Sequence, residues 1–262
     1  MENEHPTPGL YVVGTPIGHL ADVTERAAAC LRAADRVLAE DTRVTRRLLE
    51  RLGAHARLTS CHRFCEAARI EETIADIRRG AVIALVTDSG MPGVSDPGAR
   101  IVAACRAAGL PVRIVPGPSA VTAAVAWSGF ECTGFHFAGF LPRKAGARAR
   151  RLRELAAESD VIVLFESPHR FLRLLDEIEA AFVGRQVFVA REMTKHFEEG
   201  SAGTPSELRR AFAGRTVRGE ITIVIGPPPR GARLAAAPDP SDAEDDRQPA
   251  EPNVCTGAEE TP

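Results

Sequence analysis

The sequence has no apolar run that approaches the roughly 20 residues needed to cross a bilayer. Its first residues, MENEHPTPGLYVV, lack the basic segment and long apolar stretch that mark a secretory leader. These absences argue against a membrane protein and a secreted one, so we expect a cytoplasmic protein. The six cysteines follow no regular framework, and we therefore expect reduced thiols rather than disulfides.

Familiar binding motifs are missing as well. Neither G-x-G-x-x-G nor the phosphate loop G-x-x-x-x-G-K-[ST] is present, which argues against the usual nucleotide-binding folds. Cys61 and Cys65 have no second pair of metal ligands nearby in sequence, so no metal site is predicted. Lysine is scarce, because only Lys144 and Lys195 occur among 33 basic residues. Arginine is the default cation of this chain, which makes each lysine notable.

Charge is divided unevenly along the chain. Residues 231–262 hold eight acidic residues and two arginines, whereas the preceding 230 residues hold 31 basic and 27 acidic ones. The last segment is rich in Ala, Pro, Asp and Glu and has almost no large apolar side chains, so it cannot bury enough surface to fold alone. We predict a disordered acidic tail over 230–262, a disordered N-terminus over 1–8 and a mildly basic body between them.

Short apolar runs alternate with helical periodicity over the body of the chain, a pattern typical of an α/β protein with helical crossovers. The predicted strands are 10–14, 36–40, 81–87, 112–115, 135–140, 160–166, 186–191 and 220–225. They predict an N-terminal α/β domain over 9–130 and a C-terminal one over 131–229. Such sheets bind ligands beyond the carboxyl ends of their strands, and clefts between domains are the other favoured place.

Three loops rich in glycine and proline follow strands of the first domain: GTPIG (14–18), TDSGMPGVSDPG (87–98) and VPGPSA (115–120). Glycine permits close approach of the backbone and proline fixes the loop, although a strand-to-helix turn is the simpler explanation of GTPIG taken alone. The second loop is a stronger signal, because its leading carboxylate, Asp88, suits a ligand with hydroxyl groups or positive charge. Its other carboxylate, Asp96, is predicted to cap the next helix.

Two strand ends of the second domain also carry polar residues. In ESPHR, Ser167 is expected to cap a helix, which leaves Glu166 and Arg170 unexplained by capping. In REMTK, Lys195 offers a compact ammonium or a shiftable pKa, neither of which a guanidinium supplies. The alternative is a solvated or ion-paired loop lysine.

A segment of one charge sign lies between the two domains. The eleven residues 143–153 include six cations and no acid. Helix faces usually mix both signs, so this segment is predicted to contact the phosphates of a nucleic acid, with a solvated helix face as the alternative.

Eight motifs occur in the order and spacing of one known family: GTPIGHL, LAEDTR, TDSGMPGVSDPG, PGPSA, GFLPRK, FESPHR, REMTK and RGEITIVIG. They extend over residues 9–227 and resemble the ribosomal RNA small subunit methyltransferase I family of the tetrapyrrole methylase superfamily. The resemblance implies a class III methyltransferase of two α/β domains with S-adenosylmethionine in the cleft between them. It also implies a homodimer, no metal, and 2′-O-methylation of a decoding-centre cytidine of 16S ribosomal RNA, within the 30S subunit.

The resemblance and the loops together give a set of site residues. The cofactor-binding residues so implied are Thr15, Pro16, Ile17, Gly18, Asp88, Ser89, Gly90, Met91, Pro92, Ser119, Ala120, Glu166 and Glu220. Lys195 and Glu192 are the predicted catalytic residues, because a weakly acidic hydroxyl needs a base or a cation beside it. A deprotonated Lys195 would accept the proton, and a protonated one would stabilise the oxyanion. The residues predicted to contact RNA are Arg143, Lys144, Arg148, Arg150, Arg151 and Arg170.

The sequence departs from the family pattern at His19, at Met91 and in CHRFCE, where only His62 and Glu66 match. Two other functions remain open. A tetrapyrrole methyltransferase would usually begin with a G-x-G-P-G-D-P-type loop instead of GTPIG, and the basic segment suits RNA better than a carboxylated macrocycle. The other is a non-catalytic RNA-binding assembly factor, which label transfer from S-adenosylmethionine would exclude.

Overall fold

The computed structural model describes residues 6–62, 65–229 and 231. The predicted tail, 230–262, lies outside the described residues except for residue 231, and the predicted N-terminal segment, 1–8, is described only from residue 6. Ten strands and eight α-helices occur within the described ranges, where they form two sheets in chain order. No helix in these ranges combines the length and the apolar character that crossing a bilayer requires.

The first sheet consists of parallel strands with helices on both faces. Its strands are β1 (Gly9–Val13), β2 (Arg36–Ala39), β3 (Arg57–Ser60), β4 (Val82–Val86) and β5 (Val112–Val115). Its helices are α1 (Glu25–Ala33), α2 (Thr42–Leu52), α3 (Glu66–Arg78) and α4 (Ala99–Ala107). The strand order is β3-β2-β4-β1-β5, and every pair is parallel. Parallel strands need crossovers, and here α1 and α2 bury apolar side chains on one face while α3 and α4 do so on the other.

The second sheet is mixed. Its strands are β6 (Phe135–Phe140), β7 (Val161–Glu166), β8 (Val187–Arg191), β9 (Glu199–Gly203) and β10 (Ile221–Ile225). The remaining helices are α5 (Ala120–Ser128), α6 (Ala145–Ala156), α7 (Pro168–Ala181) and α8 (Pro205–Phe212). The order is β6-β7-β10-β8-β9, and only β6 and β7 pair in parallel. Helices α6, α7 and α8 cover one face, and α5 covers the other.

Helix α5 joins the two halves of the molecule. It follows β5 of the first sheet, yet its Val121 and Ala124 share an apolar cluster with Phe188 and Val224 of the second sheet. Ile17, from the loop after β1, belongs to the same cluster. The predicted α/β class with two sheets is confirmed, and this shared cluster brings the strand ends of the first sheet beside the second. The domain bounds at residues 130 and 131 stay a prediction.

Two strands were not predicted, and both lie at sheet edges. Strand β3 has the sequence RLTS, and β9 has the sequence EGSAG. Neither shows the apolar alternation that indicates a half-buried strand, because an edge strand with a partly exposed face needs little apolar surface. The other eight strands lie within two residues of their predicted bounds.

Candidate active site

A cavity of about 250 Å³ lies where the carboxyl ends of the first sheet's strands face the second sheet. We call it the first cavity. Nine of the thirteen predicted cofactor-binding residues line it: Ile17, Asp88, Ser89, Gly90, Met91, Ser119, Ala120, Glu166 and Glu220. Loops from both halves of the chain therefore meet at one place, as expected for the strand ends of an α/β sheet beside a second domain.

Carboxylates dominate the polar lining of the first cavity. They are Glu40, Asp88, Asp96, Glu166 and Glu220. Burial, with the charges of Asp88 and Glu220, raises the pKa of Asp96 to about 6 despite a hydrogen bond from Thr87. Burial also raises the pKa of Glu40. Negative charge is thus concentrated here without enough cations to neutralise it, so the cavity favours a positively charged ligand. Within the described part of the chain, no three His, Cys, Asp or Glu residues are grouped to hold a metal ion.

Glu166, the last residue of β7, has an oxygen with no partner. Its side chain is 0% exposed. The Oε1 atom accepts hydrogen bonds from the Ser167 N–H at 2.6 Å and from Arg170 Nε at 2.8 Å. No described residue donates to Oε2, which is also buried. An unpaired buried polar atom costs roughly 1–3 kcal/mol, and more when charged, so in a residue that lines a cavity it is a candidate acceptor for a donor of a ligand.

The glycines of the first-domain loops bring those loops against one another. A Cβ atom on Gly14 would lie 2.6 Å from the backbone nitrogen of Gly117, and one on Gly117 would lie 2.8 Å from the carbonyl carbon of Gly14. Thr15 Oγ1 donates to the carbonyl oxygens of Thr87 and Gly90, at 3.1 and 3.3 Å. The loops after β1, β4 and β5 therefore form one continuous rim, which a side chain at either glycine would disrupt.

Lys195 lies where the loop after β8 meets the loop after β1. Its Nζ atom is 3.1 Å from Glu192 Oε1 and 2.9 Å from Glu220 Oε2. Partial burial lowers the pKa of Lys195, but the hydrogen bonds to Glu220 and Glu192 outweigh it and raise the pKa above its ordinary value. Burial would raise the pKa of Glu192, yet hydrogen bonds from the Glu220 N–H and from Lys195 lower it. Of the two states that the sequence left open, this geometry favours the ammonium.

The backbone around this lysine is strained and held from both halves of the chain. Glu192 and Thr194 have φ angles of 50° and 62°, which are costly for residues with a Cβ atom. Thr194 Oγ1 accepts a hydrogen bond from the His19 N–H at 3.0 Å, and Glu192 Oε1 accepts one from the Glu220 N–H at 2.9 Å. Gly18 leaves room, because a Cβ atom there would lie 2.6 Å from Cγ of the lysine. These contacts fix the position of the ammonium group.

A second cavity, of about 190 Å³, lies next to this lysine. It shares four lining residues with the first cavity: Ile17, Asp88, Ser89 and Glu220, which we call the shared wall. Its other lining residues are Thr15, Pro16, Gly18, Leu20, Val44, Thr45, Leu48, Thr87 and Lys195. The predicted cofactor residues are therefore divided between two adjacent cavities, and Pro92 lines neither.

Five of the six cations predicted to contact RNA, all except Arg170, lie on or beside α6. The exposed or partly exposed ones in this segment are Arg143, Lys144, Arg150 and Arg151. Arg151 also forms an ion pair with Glu154 at 2.9 Å. Arg170 lies apart from them, because its Nη2 is 2.7 Å from Glu166 Oε1, behind the wall of the first cavity. Phosphate contact stays a prediction for these residues.

The prediction that Arg148 contacts RNA is wrong in this structure, because the side chain is only 5% exposed. Its Nε and Nη2 donate to the two carboxylate oxygens of Glu177, at 2.6 and 2.8 Å. Its Nη1 donates to the carbonyl oxygens of Pro142 and Arg143, at 3.2 and 2.8 Å. Each guanidinium nitrogen is used inside the protein, so Arg148 joins α6 to α7 rather than facing a phosphate.

Asp96 does not cap α4, contrary to the prediction. The N-cap residue is Gly98, and the free N–H groups of this helix end are satisfied by Glu66, the buried first residue of α3. Glu66 Oε1 accepts from the N–H groups of Gly98, Arg100 and Ile101, at 3.1, 2.8 and 3.3 Å. Because another helix supplies the cap, Asp96 is left to line the first cavity.

Several lining residues were missed from the sequence. Glu40 directly follows β2, and the strand-end rule that selected Asp88 would also have found it. Phe165 and Met193 could not be recognised as lining residues, because apolar residues near strand ends usually belong to the hydrophobic core. Thr45 was missed because a threonine within an amphipathic helix is ordinary in sequence.

The amino-acid sequence is similar to one protein family and to named proteins from several bacteria. The family model described as Tetrapyrrole (Corrin/Porphyrin) Methylases matches residues 9–209. A Thermotoga maritima protein named ribosomal RNA small subunit methyltransferase I is 46% identical over 216 residues, which is 82% of this chain and 97% of that protein. A protein of the same name from Mesorhizobium japonicum is 44% identical over 222 residues, or 84% of this chain and 76% of that one.

Two solved structures have similar folds. A cobalt precorrin-4 methyltransferase aligns with a TM-score of 0.63 and 23% identity, over 83% of this chain and 94% of that chain. A uroporphyrin-III C-methyltransferase from Thermus thermophilus, complexed with S-adenosylhomocysteine, aligns with a TM-score of 0.56 and 19% identity, over 83% and 92%. At these identities the likeness is one of fold.

Proposed function

Because the chain belongs to the family of ribosomal RNA small subunit methyltransferase I, within the tetrapyrrole (corrin/porphyrin) methylases, we propose that it methylates the ribose 2′-hydroxyl of a decoding-centre cytidine in 16S ribosomal RNA. Family membership makes the chain an S-adenosylmethionine-dependent methyltransferase of ribosomal RNA. The acceptor atom and the nucleotide are our proposal, together with the 30S subunit as substrate and a homodimer as the active form. The eight motifs in family order support this finer assignment.

The first cavity fits S-adenosylmethionine. The sulfonium and the α-amino group of this cofactor are both cationic, and five carboxylates face the cavity. Glu166 Oε2 lacks a donor that the ligand can supply. Phe140, Phe165 and Met193 add apolar surface suited to a purine ring. When bound, the cofactor supplies an electrophilic methyl group on a positively charged sulfur.

The chain itself contributes position and charge to the reaction. A hydroxyl held in line with the methyl group gains an effective molarity on the order of 10⁵ M. Its oxygen becomes negative as its proton passes to a carboxylate beside it, for which Glu192 and Glu220 are the groups at hand, and an ammonium already fixed there stabilises that charge without reorganisation. Lys195 is such a group, because Glu192 and Glu220 keep it protonated and hold its Nζ in place.

A single observation carries the proposal: Lys195, paired with Glu192 and Glu220, lies beside the wall that two adjacent cavities share. One cavity matches a cationic donor, and the other is open to an acceptor. An ammonium at this boundary can stabilise the negative charge that develops on the acceptor oxygen.

The test combines the purified protein, methyl-labelled S-adenosylmethionine and 30S particles that lack methylation at the target. We expect label in 16S RNA and one band missing from the partial alkaline ladder, because a 2′-O-methyl group removes the nucleophile that cleaves the chain. A complete ladder, or label on a base, contradicts ribose methylation. Cofactor binding without transfer to RNA would instead indicate an assembly factor.

Cofactor affinity should depend on pH through Asp96. Its carboxyl has a pKa of about 6, so below that pH it becomes neutral and the first cavity loses negative charge. Lowering the pH from 8 to 5 should therefore raise the Kd for S-adenosylmethionine by about threefold to tenfold. If cofactor binding shifts the pKa of Asp96 by one unit, the binding free energy changes by about 1.4 kcal/mol, which is about tenfold in Kd. Calorimetry with S-adenosylhomocysteine, which has one positive charge fewer, should show a smaller change. An Asp96→Asn variant with the full wild-type pH response would contradict this role.

The basic segment offers a matched pair of arginine substitutions. Arg143→Gln removes an exposed cation and should lower the salt slope of RNA binding by about one unit without loss of stability. Arg148→Gln should leave the slope unchanged and lower the free energy of unfolding by about 2–3 kcal/mol, because it breaks a mostly buried ion pair. Filter binding across salt concentrations and denaturant unfolding measure the two effects. Equal salt slopes for both variants would contradict this division.

A further inference from the structure

We propose that the second cavity binds the acceptor nucleoside, and that the Thr45 hydroxyl hydrogen-bonds to it. This assignment rests on the proposed function, because it names where the base and ribose of the RNA substrate are bound.

Thr45 lies in the first half of α2 and lines the second cavity, where it is only 2% exposed. Its backbone N–H donates to the Asp41 carbonyl oxygen at 3.1 Å, but no described residue is a partner of its Oγ1. A helical threonine can bond its hydroxyl to the carbonyl four residues earlier, and this one does not. A buried hydroxyl without a partner is costly, and a valine of the same shape would avoid the cost. The hydroxyl therefore indicates a ligand in the cavity.

The apolar part of the lining suits the flat face of a base. Leu20 and Val44 are 41% and 42% exposed beside the cavity, and Leu48 lines it from below the surface. Bases of single-stranded RNA that are splayed out of their stack pack on such surfaces and are read by hydrogen bonds to their edges. The Thr45 hydroxyl can both donate and accept, so it can serve either kind of edge.

The position of the second cavity places the ribose of such a nucleoside near the cofactor. The two cavities share Ile17, Asp88, Ser89 and Glu220, and Lys195 lines the second cavity beside them. A nucleoside with its base between Leu20 and Val44 has its ribose toward this shared wall. Its hydroxyl then lies between the ammonium and the first cavity, the arrangement that transfer of a methyl group needs.

The isosteric variant Thr45→Val, made in the full chain, tests this assignment. Its thermal midpoint should stay the same or rise, and its Kd for S-adenosylmethionine should match the wild type. Its kcat/KM for 30S particles should fall about tenfold, the size of one lost hydrogen bond to a substrate. Val44→Trp, at an exposed position, places an indole over the cavity and should lower kcat/KM further.

Thr73→Val is the matched control. Thr73 is also a buried helical threonine, but its Oγ1 accepts a hydrogen bond from Arg36 Nη2 at 3.3 Å. Thr73 lines neither cavity. This variant should lose stability and keep the wild-type kcat/KM for 30S particles. The pair thus separates a structural hydroxyl from one that meets a substrate.

Each other result overturns the assignment in a recognisable way. If Thr45→Val methylates 30S particles with the wild-type kcat/KM, the second cavity does not bind the nucleoside, although the proposed function stands. If its affinity for S-adenosylmethionine falls instead, the second cavity belongs to the cofactor. If the wild-type protein transfers no methyl group to RNA, the proposed function fails and this assignment fails with it.

Discussion

Lys195→Met should lower kcat for RNA methylation by about 10²–10³-fold and leave the Kd for S-adenosylmethionine within about threefold of the wild type. The ammonium lies 3.1 Å from Glu192 and 2.9 Å from Glu220, and these carboxylates raise its pKa. A lysine that stays protonated acts on charge that develops only in the transition state, so its loss appears in kcat rather than in binding. Single-turnover kinetics with labelled cofactor measures the effect.

A pH profile distinguishes the cation from a base at this position. If Lys195 acts as the ammonium, the wild-type rate should not require its deprotonation, and Lys195→Arg should recover part of the activity because it restores the charge. A wild-type kcat in Lys195→Met contradicts any role in chemistry. No recovery in Lys195→Arg, with a wild-type rate that rises as the lysine titrates, would instead indicate a base.

Glu166→Gln should raise the Kd for S-adenosylmethionine by about tenfold to a hundredfold with little change in fold. The amide oxygen must take the place of Oε1, because the Ser167 N–H and Arg170 both donate to that atom. The amide nitrogen then replaces Oε2, so a donor takes the place of the unpaired acceptor. The cavity also loses one negative charge. Calorimetry on the purified variant measures the Kd directly.

Glu199→Gln is the matched control for this variant. Glu199 is another partly buried glutamate paired with arginines, since it bonds Arg191 and Arg215, but it does not line the first cavity. We expect wild-type affinity for the cofactor in Glu199→Gln. Equal losses in both variants would mean that the arginine pairing, and not the unpaired oxygen of Glu166, determines affinity.

Much of the fold could be predicted from the sequence, because its signal is local. The apolar run at β4 and the helical periodicity of α3 each follow from which face a short segment must bury. The same strand-end reasoning selected Asp88 and Glu166, which do line one cavity. The family motifs identified the remaining loops of the site. Edge strands such as β9 were not predicted, because they bury too few apolar side chains to give an alternating apolar pattern.

What could not be predicted depends on contacts between distant segments. Glu66 caps α4 from another helix, so the local reading of Asp96 as the cap failed. The sequence does not distinguish Arg148 from its neighbours in a basic segment. Only the position of Glu177 on α7 shows that the Arg148 side chain is paired inside the protein. Thr45 differs from other helical threonines only in having a buried hydroxyl without a partner beside a cavity, which no local pattern shows. Such pairings are set by tertiary packing.

A crystal structure of the protein with S-adenosylhomocysteine tests the central claim most directly. We predict the ligand in the first cavity, with one of its donors within hydrogen-bonding distance of Glu166 Oε2 and its sulfur toward the shared wall of Ile17, Asp88, Ser89 and Glu220. The second cavity should stay open beside Lys195. A ligand in the second cavity, or one that leaves Glu166 Oε2 unpaired, would contradict the account.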